Sequence, residues 1–313
     1  MKRLFAISLF VGVTALLATT APLTSAQTAY PVIVKHDAGE TTLVRRPQRV
    51  IAIGDIHFEE LLALGIQPVG YAHRFAQPPV LGANFVSLGD LDRYASKPPA
   101  YVGDLFTPSL EVMLSLKPDL IVSSQPELYA SLSRIAPTLT LQSRDADSWR
   151  TTLPVLGTVF GQQRRAAEIV AGLEARLKLT REALRRVTKL KPRLTLILGS
   201  GQNAFFASNN YLIGKIFTDL GFTLANPSNA KYGPTGLAPV SLETIPNLET
   251  DTVWVLTNAE IPGDSALRQT LGASQRGKVV YYNNKLRPLL GPLSLPRFLG
   301  EIQRLLTVDN SRL

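Results

Sequence analysis

The chain carries one segment twice. Ser109-Leu110-Glu111 opens a stretch that runs to Val122, and about 130 positions later Ser241-Leu242-Glu243 opens another that runs to Val255. In both an aspartate, Asp119 or Asp251, stands eight positions after the glutamate. Each serine is placed to cap a helix by accepting a hydrogen bond from an early backbone N–H, and each glutamate, in the first turn, faces the positive end of the helix dipole. Pro118 stops the first helix, and the apolar run Leu120-Ile121-Val122 reads as a buried parallel strand; after Thr250-Asp251, Val253-Trp254-Val255 repeats it. Two such units imply two similar α/β lobes.

The N-terminus has Lys2 and Arg3, an apolar run from Leu4 to Leu17, and the small residues Thr24-Ser25-Ala26. This is the form of a secretory signal, too short for a membrane span, with cleavage expected after Ala26. The chain has no cysteine, so neither a lipid-modified cysteine nor a disulfide is expected, and the mature protein is expected to be soluble and exported, with a bacterial periplasm fitting best. The roughly 287 residues that remain exceed what one core usually serves, in keeping with two lobes.

The formal net charge of +9 favours anionic partners in general, but much of it sits between Gln162 and Arg193. There Ala166, Ile169, Val170, Leu173, Leu177, Leu184 and Val187 recur at helical spacing with basic residues between them. The pattern predicts one amphipathic helix from Gln163 to Lys189, about 40 Å long at 1.5 Å per residue, ended by Pro192. Its arginines read as a solvated face; a nucleic-acid surface would need interleaved aromatics and a binding motif, and the export signal argues against one. The expected division is therefore a signal over 1–26, a first α/β lobe over 27–161, a linking helix over 162–191 and a second α/β lobe over 192–313.

Lobe one opens with a predicted hairpin from Val32 to Val44, a strand Val50–Ile53, a helix Phe58–Leu64 capped by Gly65, and a strand at Val69-Gly70-Tyr71. Lobe two repeats the scheme with strand Leu194–Leu198, helix Leu212–Leu220, cap Gly221 and strand Phe222-Thr223-Leu224. Between cap and repeated motif lobe one has 45 residues (66 to 110) and lobe two 21 (222 to 242), so lobe one carries an insertion near 72–106, of a length that is usually functional or disordered. Parallel α/β sheets bind ligands outside the carboxyl ends of their strands. Those ends hold Asp55-Ile56-His57, Ala72 to Phe75, Ser123-Ser124-Gln125 and Gln142 to Arg144 in lobe one. In lobe two they hold Ser200 to Ser208, Asn226 to Pro239, Thr257-Asn258 and Asn283 to Gly291. A cleft lined this way suits an acidic ligand with an apolar or aromatic body.

Several motifs, in order and over nearly the whole mature chain, resemble the periplasmic ligand-binding proteins of ABC importers for iron-siderophores, haem and vitamin B12. They are Pro47-Gln48-Arg49-Val50, Glu60 to Gly65, Tyr101-Val102-Gly103 ahead of Pro108-Ser109-Leu110-Glu111, Lys117 to Ile121, Val240 to Glu243, and Gly291-Pro292-Leu293-Ser294. The run Ile135-Ala136-Pro137 to Leu141, then Ser143-Arg144, is most similar to the ferric dicitrate binders and related hydroxycarboxylate or hydroxamate siderophore binders. The resemblance implies two Rossmann-like lobes, each a mostly parallel sheet flanked by helices, joined by one long rigid helix. It implies a monomer that takes a ferric siderophore to an ABC permease dimer at the inner membrane, with iron arriving as a chelate and no cofactor of the protein's own. Glu111 and Glu243 match the glutamates that dock on the permease in that family. A purely local role at a helix start is compatible with this, because a first-turn carboxylate on a surface helix is also open to a partner.

Ferric chelates of hydroxycarboxylates can carry negative charge, which arginine matches with paired hydrogen bonds. Arg74, Arg93, Arg144 and Arg287 are the candidates; any one could be a surface arginine, and at least two are expected to line the cleft. Trp149 resembles an aromatic position that often faces ligand in the family, whereas Trp254, within a strand, is expected in the core. Phe205 and Phe206 fall on a predicted loop, where one should face the cleft. Tyr94, Tyr232 and His57 complete the candidate contacts, although His57 reads more readily as a hydrogen-bonding residue or helix-cap neighbour than as a ligand contact or haem ligand.

Two rivals remain. A haem or cobalamin binder of the same transporter class would need a Tyr or His aimed into the cleft, for which His57 or Tyr232 could serve. A dinucleotide-dependent oxidoreductase is suggested by Gly199-Ser200-Gly201-Gln202-Asn203-Ala204 with Asp219 about twenty residues on, but Phe205 to Asn210 reads as loop where a helix should begin. No nucleophile elbow or paired catalytic carboxylates occur, so no enzyme is expected. The three histidines, His36, His57 and His73, have no metal-ligand spacing.

Overall fold

In the computed structural model of the chain, which describes residues 29–73, 94–142, 148–186, 192–200, 203–233, 236–257, 265–275, 279–283 and 291–308, β1 (Val32–His36) and β2 (Gly39–Leu43) form the expected antiparallel hairpin. Then follow β3 (Val50–Ile53), α1 (Asp55–Ala63), β4 (Gly70–His73), β5 (Ala100–Asp104), α2 (Leu110–Ser115), β6 (Leu120–Ser123), α3 (Tyr129–Leu132), β7 (Thr138–Thr140) and α4 (Trp149–Val159). The strands β5-β4-β3-β6-β7 make a parallel sheet in that order. The helix after β3 starts earlier than its apolar pattern predicts, because Gly54, at φ 119°, turns the chain sharply at the strand end. Part of the insertion in lobe one is strand β5, which extends the sheet edge; 74–93 lie outside the described residues.

The linking helix is α5 (Gln163–Arg185), about 34 Å long. It ends before the predicted Lys189, and 187–191 lie outside the described residues. Ala166, Leu173, Leu177, Thr180 and Leu184 are its buried stripe.

The second lobe runs β8 (Arg193–Ser200), β9 (Asn203–Ala207), α6 (Leu212–Asp219), β10 (Thr223–Leu224), β11 (Leu237–Pro239), β12 (Thr252–Thr257), α7 (Ala266–Ser274), β13 (Val279–Asn283) and α8 (Leu295–Val308). Strands β10, β8, β12 and β13 are parallel, as in lobe one, but β9 folds back antiparallel on β8 and β11 pairs with β9. This corrects the expectation of a loop at Phe205 and Phe206, which lie on β9. The returning strand and β10 share one edge of β8, and Asn226 fills the fork: its carbonyl accepts from Leu196 N and its amide donates to the Ala207 carbonyl.

The duplicated unit explains itself in hydrogen bonds. Asp119 accepts from the backbone N–H groups of Gln48 and Arg49, while its own N–H donates to Arg49 O. Asp251 does the same to Arg193, accepting from its N–H and donating to its carbonyl. Each aspartate thus clasps the backbone where the central strand of its own sheet begins, at Arg49 just before β3 and at Arg193, the first residue of β8. The helices differ, however. Ser109 accepts from Val112 N at 3.3 Å, whereas Ser241 makes no side-chain cap, and Leu242–Asn247 is a 3₁₀ helix with Pro246 inside it.

The lobes are joined by more than α5. Ile169 and Val170 of α5 pack against the cores of both. Trp149, at the start of α4, is fully buried among Leu173 and Leu177 of α5 and the apolar side chains of lobe two, with the Arg150 guanidinium 4.4 Å from the centre of its ring. Arg150 also pairs with Glu174 on α5. Leu293 packs back on the core of lobe one. No helix among the described residues is long and apolar enough to cross a membrane.

Candidate ligand cleft

In lobe one the chain leaves β3 towards β4 on one side, while β6 lies on the other, so a crevice opens between the carboxyl ends of β3 and β6. A Cβ at Gly54 would stand 2.7 Å from Ser124 Oγ, so glycine is what lets the two strand-end loops meet. Around this point lie Asp55, which accepts from the Tyr71 hydroxyl, and Gln125, whose amide donates to Ser124 Oγ at 3.3 Å. The crevice floor is therefore polar, with hydrogen-bonding side chains already oriented.

Behind it α1 is buried at every position except Asp55, although it includes His57, Glu59 and Glu60. His57 Nε2 meets the Leu141 carbonyl and Nδ1 meets Glu60 Oε2 at 2.9 Å. A carbonyl only accepts, so Nε2 carries a hydrogen, and the other proton of the pair lies between Nδ1 and the carboxyl. Thr152 of α4 bonds the second Glu60 oxygen. This network ties α1 to α4 inside lobe one.

Glu59 points the other way. Its Oε2 accepts from the N–H groups of Leu293 (3.0 Å) and Ser294 (2.9 Å), and its Oε1 bonds Ser294 Oγ at 2.7 Å, all at the start of α8 in lobe two. Burial pushes its pKa up to about 8; Asp55 adds to the rise and the bonds to Ser294 and Leu293 oppose it.

Several expected contacts are corrected by these positions. His57 is fully buried with both ring nitrogens engaged, so it is neither a ligand contact nor a free haem ligand. Trp149 and Phe206 are core residues, the latter because alternation along β9 sends it inward with Ile197 and Val255. Phe205, on the other face of β9, is half-buried. Tyr94 is exposed but lines a cavity of about 400 Å³ with Leu62, Ala63, Arg165 and Ile169, beside the linking helix and at the far end of α1 from the strand ends. Tyr232 is exposed in the loop after β10; burial raises its pKa and the hydrogen bond with Asn226 opposes this, so its hydroxyl stays a donor. Trp254 is in the core as expected. Glu111 and Glu243 are both exposed in the first turn after their serines. Arg74, Arg93, Arg144 and Arg287 lie outside the described residues.

At the Gly199 to Ala204 segment, β8 continues to Ser200 and β9 begins at Asn203, so no helix starts there to hold a pyrophosphate. The family model described as periplasmic binding protein matches residues 77–284, two thirds of the chain. The chain belongs to this family.

Among periplasmic binding proteins it is 29% identical over 232 residues to the Fe(3+)-citrate-binding protein YfmC of Bacillus subtilis, covering 72% of this chain and 68% of that one. It is 25% identical over 237 residues to the Fe(3+) dicitrate-binding periplasmic protein FecB of Escherichia coli, covering 73% and 72%. The solved structure of the petrobactin-binding protein YclQ from Bacillus subtilis superposes with a TM-score of 0.71, covering 89% of this chain and 99% of that one at 21% identity, and so shares its fold. Among the described residues of this family member no three His, Cys, Asp or Glu side chains gather as a metal site. Sequence reasoning missed Glu59, Glu60 and Ser294. The available signal was two adjacent acids inside the apolar helical run Ile56 to Leu64, where burial demands partners.

Proposed function

We propose that the chain captures a ferric siderophore, of the citrate, hydroxycarboxylate or hydroxamate kind, between its two lobes and delivers it to an ABC permease dimer at the inner membrane. In this reading it is a monomer, exported to the periplasm, and turns nothing over. The observation that carries it is the frame: Gly291 and the turn that leads into α8 of lobe two close on α1, the helix that leaves the crevice of lobe one. Relatives named for ferric citrate support the cargo class, and arginine at the positions that the sequence assigns to the cleft loops would supply charges suited to it.

A titration panel of the apo protein with ferric citrate, ferric hydroxamates, ferric catecholates, haem and cobalamin, read by tryptophan fluorescence, tests the proposal. Saturable quenching by a ferric hydroxycarboxylate or hydroxamate is expected. Saturation by haem or cobalamin alone would replace the proposed cargo, and no saturation by any ferric chelate would end it.

The exposed Glu111 and Glu243 sit at matching places on the two lobes, suited to a two-fold permease with basic residues. Glu111→Ala and Glu243→Ala are expected to leave chelate affinity within about two-fold while uptake by the reconstituted transporter falls by about ten-fold or more, since a docking carboxylate acts on the permease and not on the chelate. Uptake equal to wild type in the double variant would remove the docking role.

A further inference from the structure

The carboxyl group of Glu59 does work that belongs to the other lobe. The first N–H groups of a helix have no partner within it. The turn that leads into α8 has the same need, and the N–H groups of Leu293 and Ser294 in it are taken by Glu59 Oε2, from a residue 234 and 235 positions away in sequence. The Ser294 carbonyl accepts from Phe298 N, which makes Ser294 the capping residue just before the helix, and its hydroxyl bonds Glu59 Oε1. Gly291 completes the fit, because a Cβ there would stand 2.7 Å from the Glu59 Cβ, Cδ and Oε2 atoms. Gly291 opens the turn that leads into α8, and Asp55, one turn before Glu59, opens α1 at the carboxyl end of β3. The contact therefore joins the turn before α8 in lobe two to the helix that leaves the strand-end crevice of lobe one.

We propose that Glu59 and Ser294 are positioning residues for ligand binding: by completing the start of the last helix of one lobe from the first helix of the other, they fix the angle at which the two lobes face across the cleft. This rests on the cleft being the binding site. The site accepts both protonation states. Ionised, the carboxylate accepts from both N–H groups and from the Ser294 hydroxyl; protonated, Oε1 donates to Ser294 Oγ while Oε2 keeps the two N–H groups. Among the described residues no cation bonds Glu59; Asp55 on its own helix is the charge acting on it, and Asp55 in turn is held by Tyr71 of β4. Since the folded pKa of about 8 lies above the ordinary 4.5, the folded chain retains a proton that the unfolded chain has released. The associated stability is full below about 4.5 and is lost as the pH rises through about 8.

The chain has no cysteine, so spin labels on Leu114→Cys and Asn247→Cys, exposed positions on the two lobes, report their separation by double electron–electron resonance without any ligand. Glu59→Ala and Ser294→Ala are expected to broaden the distance distribution. Glu59→Gln, whose carboxamide oxygen can take the N–H groups while its NH2 donates to Ser294 Oγ, is expected to keep it narrow. Glu59→Gln is also expected to remove the loss of urea stability that wild type shows, relative to it, between pH 4.5 and 8. With ferric citrate as probe, the alanine variants should bind at least about ten-fold more weakly than wild type and the glutamine variant within about three-fold, because lost preorganisation appears in affinity. Wild-type distances in both alanine variants overturn the proposal; if Glu59→Ala does not fold, Ser294→Ala decides it alone. A wild type that fails to bind ferric citrate or any other chelate counts against the cargo and leaves the distance result to judge the joint.

Discussion

Glu60→Ala is expected to destabilise the protein by about 3–5 kcal/mol, because it leaves His57 buried with one ring nitrogen and no partner for it. Both side chains are fully buried, and the pair is anchored at each end, by the Leu141 carbonyl and by Thr152. His57→Ala should cost a similar amount for the complementary reason, an isolated buried carboxyl. Removing both groups at once with His57→Ala and Glu60→Ala should cost less than the two single losses together, the shortfall being about 1–3 kcal/mol of coupling. Urea denaturation of the four proteins measures this directly. A Glu60→Ala midpoint within about 1 kcal/mol of wild type would mean that water reaches the site and that the network is not a sealed one.

Trp149→Ala should be of similar size, about 3–5 kcal/mol, since it empties a fully buried indole from the seam between α4, α5 and lobe two. The conservative change separates packing from polarity. The indole N–H has no hydrogen-bond partner among the described residues, so Trp149→Phe forfeits no bond and relieves an unsatisfied donor; its cost should be well under half that of alanine. Thermal unfolding is the check, with the alanine variant melting on the order of 10 °C lower. Similar losses for phenylalanine and alanine would assign the indole nitrogen a role that packing does not give it.

The duplicated Ser-Leu-Glu unit was enough to read two α/β lobes and the glutamates that stand exposed at matching places, while the apolar runs at Val50 and Leu194 gave the central strands and the apolar spacing after Gln162 the long helix. Its aspartates were legible as strand openers but not as clasps, because their partners, Arg49 and Arg193, are 70 and 58 residues distant and no local pattern links them. Phe205 and Phe206 were misjudged for a related reason. A strand that folds back on its predecessor needs only a short turn, and Gly201-Gln202 gives the same sequence signal as a phosphate loop. At the cleft, His57 and Trp149 stand near strand ends in sequence, yet a helix start has an inner and an outer side, and which one faces solvent depends on elements packed from elsewhere. α4 supplies that for His57, and lobe two supplies it for Trp149.

The joint at Glu59 also sets an order in time. A chain made or threaded from its N-terminus presents α1 long before α8 exists, and Ser294 arrives 235 residues later. Until then lobe one can pair its sheet and close the His57–Glu60 network, but a carboxyl built for burial still faces water, where it ionises as an ordinary glutamate does. The last helix to appear must strip that water and meet or remove that charge. The final act of assembly is thus coupled to a proton, and a chain that stops short of Gly291 carries an unfinished, solvated acid at the place where the two halves should meet.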